Sequence, residues 1–438
     1  MSKKQWKRLD VIERVEKGRW TMVEAARVLG LSGRQVRRLC CVFNSLGPKG
    51  LLHGNLGVHP KNRVGDAVRA QVVSLMTTKY AGFNDQHFTE KLGEVENIIL
   101  GRQTVRRILR GAGLGPVRKR RPRRYHGRRP RKAQAGMMLL WDGSLHRWLE
   151  DRGPELCLMG AIDDATGEFL PGAHFVEREC SASYLRVLLA ISETYGLAGS
   201  IYMDRHSALH RNDEHWTLEE EFRGEQDPTQ VGAALKALEI EPIFALSAQA
   251  KGRVERLWGT LQDRLVSELR LAGAKTLEEA NGVLASYRLQ HNKRFMKPAT
   301  EVQAAWRRVR ADTDLHRLCS FRYDVRVRND NTVHHNGAVI DIPRGPGGKS
   351  YAGSVVELRY LLNGTSRVYQ GDKLIAQTAT TSNPRLKALT RKKKRIAGNA
   401  APPPQRRRKL TVKEIITKLR ASGPNTNKSK RRTESLAC

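Results

Sequence analysis

The chain has 438 residues, with 79 Lys+Arg against 44 Asp+Glu and a formal net charge of +35 at pH 7. That length predicts about two to four domains with ample material for cores, and 39% apolar with 6% aromatic residues describes a polar-rich globular chain, not a fibrous one. No stretch approaches the roughly 18 uncharged apolar residues of a membrane span, and Met1-Ser-Lys-Lys-Gln-Trp-Lys7 lacks the apolar core of a secretory signal. The expectation is a soluble cytoplasmic protein with no membrane partner.

The cysteines are Cys40, Cys41, Cys157, Cys180, Cys319 and Cys438, none of them in a C-x-x-C pair. They suggest neither a zinc cage nor a disulfide framework and read as free thiols. The charge is concentrated. Residues 118–132 hold ten basic residues and no acid, and residues 385–438 hold eighteen Lys+Arg against Glu414 and Glu434. Such runs repel themselves unless a polyanion neutralises them, and two in one chain favour nucleic acid over a solvated tail.

In chain order, Leu9–Lys17 is amphipathic, and Ala26, Gly30 and Val36 then fall at helix-turn-helix offsets. The small residue lets two helices approach, the glycine turns the chain, and the valine seats the second helix. Ser32 and Gln35 have capping-box spacing, which predicts a helix starting at Gly33. Arg34, Gln35, Arg37 and Arg38 would project from its early turns to read base edges and phosphates. A DNA-binding helix-turn-helix domain is the expectation over 1–60, with an ordinary helical hairpin, which shares such spacings, as the alternative.

A second helix-turn-helix or winged-helix-like domain is expected over 61–117. In it Val105, Ile108 and Leu109 form the apolar stripe of a helix whose outer face carries Arg102, Gln103, Arg106, Arg107 and Arg110. Gly111 and Gly113 would end this helix. The basic linker 118–134 contains Arg121-Pro-Arg123 and Arg129-Pro-Arg131. Its arginines suit a narrow minor groove or act as a plain electrostatic tether.

From 135 to 310 strands alternate with helices. Met137–Trp141, Leu156–Ile162, Phe169–Val176, Gly199–Met203 and Glu241–Leu246 read as strands, the third interrupted by Pro171-Gly172. Ser181 could cap a helix bearing Leu185, Leu188 and Leu189. Val231–Leu238 reads as helical, and from Gly252 a long helix carries Val254, Leu257, Leu261, Leu265 and Leu269 on one face; Leu277–Leu289 is another. Over 318–380 the period becomes two, with Phe321, Tyr323, Val325 and Val327 alternating with charged residues, and Asn363-Gly364 marks a hairpin. A small β-barrel is the expectation there, followed by a disordered basic tail at 381–438.

Three carboxylates stand out by context. Asp142 follows the first apolar run, Asp204 ends the fourth, and Glu255 opens the long helix. A five-stranded sheet would hold Asp142 on its first strand, Asp204 after its fourth, and Glu255 on the helix behind its fifth. Clustered carboxylates repel, and divalent cations relieve the repulsion. Mg²⁺ suits an oxygen-only site, and two ions about 3.5–4 Å apart can serve phosphoryl transfer.

The motifs Leu140-Trp-Asp-Gly-Ser144, Ala161-Ile-Asp-Asp-Ala-Thr-Gly167, Tyr202-Met-Asp-Arg-His206 and Gln249-Ala-Lys-Gly-Arg-Val-Glu-Arg256 make the chain resemble bacterial insertion-sequence transposases with an integrase-like DDE core. The ISNCY-type group is the most similar, and the resemblance covers about 1–380. It implies that Asp142, Asp204 and Glu255 are the catalytic, metal-binding triad of an RNase H-like core. It also implies two Mg²⁺ ions, with Mn²⁺ as a substitute, and double-stranded DNA (element ends and target) as partner of a homodimer or higher oligomer.

Departures from the wider integrase pattern are visible. There is no His/His/Cys/Cys zinc unit, and the lysines that integrases carry one and two turns beyond the glutamate are replaced by Gly259 and Gln262. The acidic segment Asp213–Asp227 reads as a surface insertion. His206 and His210 have i, i+4 spacing without an obvious further ligand, and Asp163-Asp164 reads as a turn device. The rival functions are a non-catalytic DNA-binding regulator and a nuclease that cuts without joining.

Overall fold

The computed structural model describes residues 3–53, 62–116, 129–211, 215–245 and 252–378. Arg121, Arg123 and the expected basic tail lie outside them. The chain divides into two compact units at Ser320/Phe321.

The first unit begins with α1 (Lys3–Glu16), α2 (Met22–Leu29) and α3 (Gly33–Leu46). A capping box starts α2: the Thr21 hydroxyl accepts from the Glu24 amide, and the Glu24 carboxylate accepts from the Thr21 amide at 2.7 Å. Gly30 ends it in the left-handed region at φ 63°, a conformation open to glycine without a Cβ penalty. Two residues later the Ser32 hydroxyl accepts from the Gln35 amide at 3.3 Å, starting α3 at Gly33 as its spacing predicts. Val36 is fully buried among Leu9, Ile12, Ala25 and Cys40, which seats α3 on α1 and α2.

Next come α4 (Asp66–Thr77), α5 (Asp85–Glu94) and α6 (Arg102–Gly111). Their core joins Val72, Tyr80, Phe83, Phe88 and Leu92 to the predicted stripe Val105, Ile108 and Leu109. No strand occurs among the described residues of 61–117, so the winged-helix alternative has no β-wing there.

The sheet of this unit comprises β1 (Met138–His146), β2 (Leu156–Asp163), β3 (His174–Val176), β4 (Ser200–Met203) and β5 (Glu241–Phe244), in the order β3-β2-β1-β4-β5. The first three are antiparallel neighbours, and β4 and β5 join in parallel. The third strand is shorter than expected: Pro171-Gly172 breaks it, leaving Phe169 in an isolated bridge to Ile162. Between the strands lie α7 (Ser181–Thr194), α8 (Leu218–Arg223) and α9 (Gln230–Ala237), followed by α10 (Val254–Leu271), α11 (Leu277–Phe295) and the short α12 (Leu315–Leu318). Cys180, not Ser181, occupies the N-cap of α7. Val254, Leu257, Leu261, Leu265 and Leu269 of α10 pack with Met138, Leu140 and Leu158 of the sheet and with Trp148 just after β1, as the apolar stripe requires.

Buried ion pairs fasten the second helical group to α10 and α11. His87 and Lys91 of α5 both reach Glu268 at 2.7 Å, and Glu90 takes Arg264 at 2.6 Å and Arg294 at 3.0 Å. Burial pushes both carboxyls up, but hydrogen bonds from His87 and Lys91 to Glu268, and from Arg264 and Gln86 to Glu90, leave each net below the usual range. Burial holds His87 below an ordinary imidazole.

The second unit contains β6 (Phe321–Arg326), β7 (Thr332–His335), β8 (Ala338–Asp341), β9 (Val355–Tyr360), β10 (Ser366–Gln370) and β11 (Lys373–Gln377). The period of two is obeyed: Phe321 and Val327 are buried, while Arg322, Asp324 and Arg326 are exposed. The Asn363-Gly364 turn joins β9 to β10, with Gly364 at φ 90°. The barrel expected over 318–380 does not close among the described residues. Four strands form an open sheet in the order β11-β10-β9-β6, and β7 and β8 pair only with each other. The physical reason is that β7–β8 folds as a separate hairpin, so β6 and β11 remain edges of the sheet.

Candidate active site and nucleic-acid interface

The first two site carboxylates are placed by strand register. Strand β1 pairs in parallel with β4 through Met138–Ser200, Leu139–Ile201 and Leu140–Tyr202. Every pair is offset by the 62 positions that separate Asp142 from Asp204. The register therefore carries both aspartates to the same level, two residues past its last pair. Beyond Leu140 the parallel partner ends, whereas β1 continues against β2 as far as His146. This opens a notch at the carboxyl end of β4, where open sheets with parallel strands place their ligands.

The third candidate carboxylate is on the helix behind. Trp258 of α10 donates its indole N–H to Asp142 Oδ2 at 3.3 Å, and Gln262 donates to Ser144 Oγ at 3.3 Å. Glu255 lies three residues before Trp258 and seven before Gln262, so helical periodicity puts all three on the face toward β1. Glu255 itself is exposed in the first turn. Among the described residues no three His, Cys, Asp or Glu side chains are already grouped to hold a metal ion. Asp142 and Asp204 are brought together; Glu255 stands on the adjoining face.

A residue with no sequence signal completes the pocket. Glu179 precedes α7 in the run Val176-Glu-Arg-Glu-Cys180. It accepts a hydrogen bond from the Tyr184 hydroxyl, and its Oε1 lies 3.4 Å from His206 Nδ1. Its other oxygen would be 2.7 Å from a Cβ at Gly143, next to Asp142. Burial raises the Glu179 carboxyl above its ordinary value; Tyr184 and His206 oppose that shift, and the negative charges of Asp142 and Asp204 reinforce it. The neighbouring Cys157 thiol is pushed up to about 12 by burial and then by Glu179 and Asp142, which removes it as a nucleophile.

The remaining candidates separate cleanly. His206 donates its amide to Asp204 Oδ1 at 3.3 Å, whereas the His210 ring packs edge-on against Phe244 with centroids 4.8 Å apart. The two imidazoles thus serve different neighbours. Asp163 accepts from the Gly136 amide and from the amide and hydroxyl of Thr166, the turn device expected of it. Fully buried Asp164 binds Arg129 at 2.6 Å, Arg253, and the Lys132 amide. Arg131 donates to the Ala165 carbonyl at 2.8 Å. Both arginines of the second R-P-R run are therefore engaged by the loop after β2, and Arg253 ties the same loop to the start of α10. In the acidic insertion, buried Glu220 is held by Arg211 and capped by Thr217, while Glu219, Glu221, Glu225 and Asp227 face solvent.

On the helices, Arg34, Gln35, Arg37 and Arg38 of α3 are all exposed beside buried Val36, and Arg102, Gln103, Arg106 and Arg107 of α6 are exposed beside buried Val105. Arg110 instead turns to Asp85 at 2.6 Å.

A helix-turn-helix domain family model matches residues 7–57. The transposase for insertion sequence IS1202 of Streptococcus pneumoniae is 33% identical over 324 residues, which is 65% of this chain and 67% of that protein. The chain belongs to the insertion-sequence transposases. Another relative, y4bF of Sinorhizobium fredii (strain NBRC 101917 / NGR234), carries a transposase name and is 38% identical over 295 residues. That match spans 67% of this transposase and 63% of y4bF. Among solved structures, the magnesium-bound HTLV-2 integrase catalytic core domain matches 37% of this transposase and 88% of its own chain, at 15% identity and TM-score 0.25. The simian T-cell lymphotropic virus intasome with B56 gamma matches 71% of this transposase and 100% of the compared chain, at 14% identity and TM-score 0.30.

Proposed function

We propose that this protein binds the ends of an insertion sequence and catalyses metal-dependent strand cleavage and strand transfer on an RNase H-like core. The single observation that carries the reading is the register of β1 and β4, which sets Asp142 beside Asp204 at the carboxyl end of a parallel pair. The donor chemistry fits a divalent cation. All three assigned groups are carboxylates, and the charge of Asp142 and Asp204 is enough to raise the nearby Glu179 carboxyl further, a surplus of negative charge that a cation would offset.

Asp142, Asp204 and Glu255 would hold Mg²⁺, two ions with Mn²⁺ as substitute, and the bound metal would supply charge neutralisation at the scissile phosphate and an activated attacking oxygen. Trp258 orients Asp142, and the His206 amide orients Asp204. In cleavage, a water oxygen bonds to phosphorus as the bridging 3′-oxygen leaves with a proton, freeing a 3′-OH. In joining, that hydroxyl oxygen bonds to a target-strand phosphorus as the bridging 3′-oxygen there leaves, and the proton given up by the attacking hydroxyl ends on the leaving oxygen. Neither step consumes a redox partner or forms a protein–DNA bond.

Helix α3 would read the inverted repeat through Arg34, Gln35, Arg37 and Arg38, and α6 would add Arg102, Gln103, Arg106 and Arg107. Arg121 and Arg123 would contribute sequence-independent grip, while Arg129 and Arg131 anchor the linker to the core. Two ends must be joined in concert, so a homodimer or higher oligomer would form on DNA.

The test mixes protein, Mg²⁺, labelled element ends and a target plasmid. Joined products support transposition. Cleavage without joining would favour a nuclease, and binding without cleavage a regulator.

A further inference from the structure

Asp142 and Asp204 leave unexplained why a further, half-buried carboxyl stands beside them. Glu179 touches three separate elements. Its carboxyl accepts from Tyr184 on α7 and stands 3.4 Å from His206 in the loop after β4. It also lies so close over Gly143 of β1 that a Cβ there would sit 2.7 Å from Oε2. Gly143 follows Asp142 directly, and the His206 amide binds Asp204 Oδ1. One side chain therefore abuts the immediate neighbour of the first aspartate and the hydrogen-bond donor of the second.

The strand geometry leaves room for such a contact to act. The β1–β4 ladder ends at Leu140–Tyr202, so no backbone hydrogen bond of that ladder fixes the spacing of Asp142 and Asp204 two residues further on. Two like charges would drift apart there. The same crowding accounts for the glycine in the Trp141-Asp-Gly-Ser144 motif. A side chain at 143 would strike the Glu179 carboxyl, Met159 Sδ at 3.0 Å and Cys157 Sγ at 3.1 Å.

We infer that Glu179 is a positioning residue that bridges β1 and the loop after β4 and sets the separation of Asp142 and Asp204 for metal binding. This rests on the proposed metal role of those aspartates. Glu179 acts through its neighbours: it accepts the Tyr184 hydroxyl, stands 3.4 Å from the His206 ring, and its bulk fills the slot left by Gly143. Partners of metal ligands commonly carry affinity of this kind, roughly 10–100-fold on removal.

The experiment titrates Mg²⁺ calorimetrically into the full chain without DNA, for the parent, Glu179→Ala, Glu179→Gln and Asp142→Asn, with melting temperature and end binding recorded in parallel. Glu179→Ala is expected to weaken Mg²⁺ binding roughly 10–100-fold with end binding unchanged. Glu179→Gln, whose amide oxygen still accepts from Tyr184, is expected to retain most of the affinity. Parent-like affinity in Glu179→Ala, alongside lost binding in Asp142→Asn, would overturn the inference alone. Equal loss in Glu179→Gln and Glu179→Ala would also overturn it, because the charge itself would then be the donor. Parent-like binding in Asp142→Asn would bring down the underlying site assignment. Should Glu179→Ala fail to fold, Tyr184→Phe removes one hydroxyl from the same contact and must still weaken Mg²⁺ binding; unchanged affinity there overturns the bridge.

Discussion

Asp142 on β1 and Asp204 just past the end of β4 fall at one level, two residues beyond the Leu140–Tyr202 pair of these parallel strands. Their sequence separation equals the register offset of the strands, so the strand pairing itself sets the two at one level. Trp258 then links the first aspartate to the helix that bears Glu255.

Replacing either aspartate by asparagine keeps its shape and removes its charge. Asp142→Asn and Asp204→Asn are each expected to lose several kcal/mol of transition-state stabilisation, on the order of a thousand-fold in cleavage rate. Retention of duplex end binding distinguishes this from misfolding. A nicking assay on labelled ends, run beside a gel-shift assay, reads both quantities.

The exposed row on α3 is expected to dominate recognition. Replacing Arg34, Arg37 and Arg38 together by Ala should weaken end binding and flatten its salt dependence, by about 0.9 in the log–log slope for each phosphate no longer neutralised. Gln35→Ala should instead reduce discrimination between the correct and a scrambled repeat. Binding isotherms at several salt concentrations separate the two effects.

Much of this was legible before any coordinates. Ser32 and Gln35 announce the start of α3, Gly30 its preceding turn, and the Val254–Leu269 stripe the inward face of α10, because local capping and periodicity act within one element. The positions of Asp142 and Asp204 at strand ends were legible because each adjoins an apolar run. Glu179 was not, since nothing in Val176-Glu-Arg-Glu-Cys180 distinguishes it from other surface acids; only tertiary packing sets it over Gly143. The engagement of Arg129 and Arg131 by the loop at Asp164 was equally hidden, because a basic run reads the same whether it meets DNA or a buried carboxylate. Alternation in the second unit revealed strands, but alternation cannot report whether a sheet closes.

Gly30 offers a clean backbone test. No heavy atom lies within 4 Å of where its Cβ would be, so only its φ of +63° opposes a side chain. Gly30→Val is expected to cost the first helical group about 1–2 kcal/mol, whereas Gly33→Ala, at a helical position with equally open surroundings, should be neutral or mildly stabilising. Thermal melts of the two variants check the contrast.

The ion pairs between α5 and the long helices predict a pH dependence. Glu90 and Glu268 have folded values below the ordinary 4.5, so the stability they contribute is present above that value and lost as pH falls through the lowered ones. Buried His87, held below 6.5, adds in the same direction, because the unfolded chain takes its proton first. The melting temperature should therefore fall as pH drops from neutral toward 4. Glu268→Gln, which strands Lys91, is expected to cost on the order of 3 kcal/mol at neutral pH. A melting series over pH 4–8 for parent and variant tests both statements.

The most direct measurement is anomalous diffraction from the protein crystallised with Mn²⁺ and an element-end duplex. Cation density is expected between the carboxylates of Asp142 and Asp204, with Glu255 drawn in as the third ligand. Cation density elsewhere, or none with these carboxylates held apart on the DNA, would contradict it.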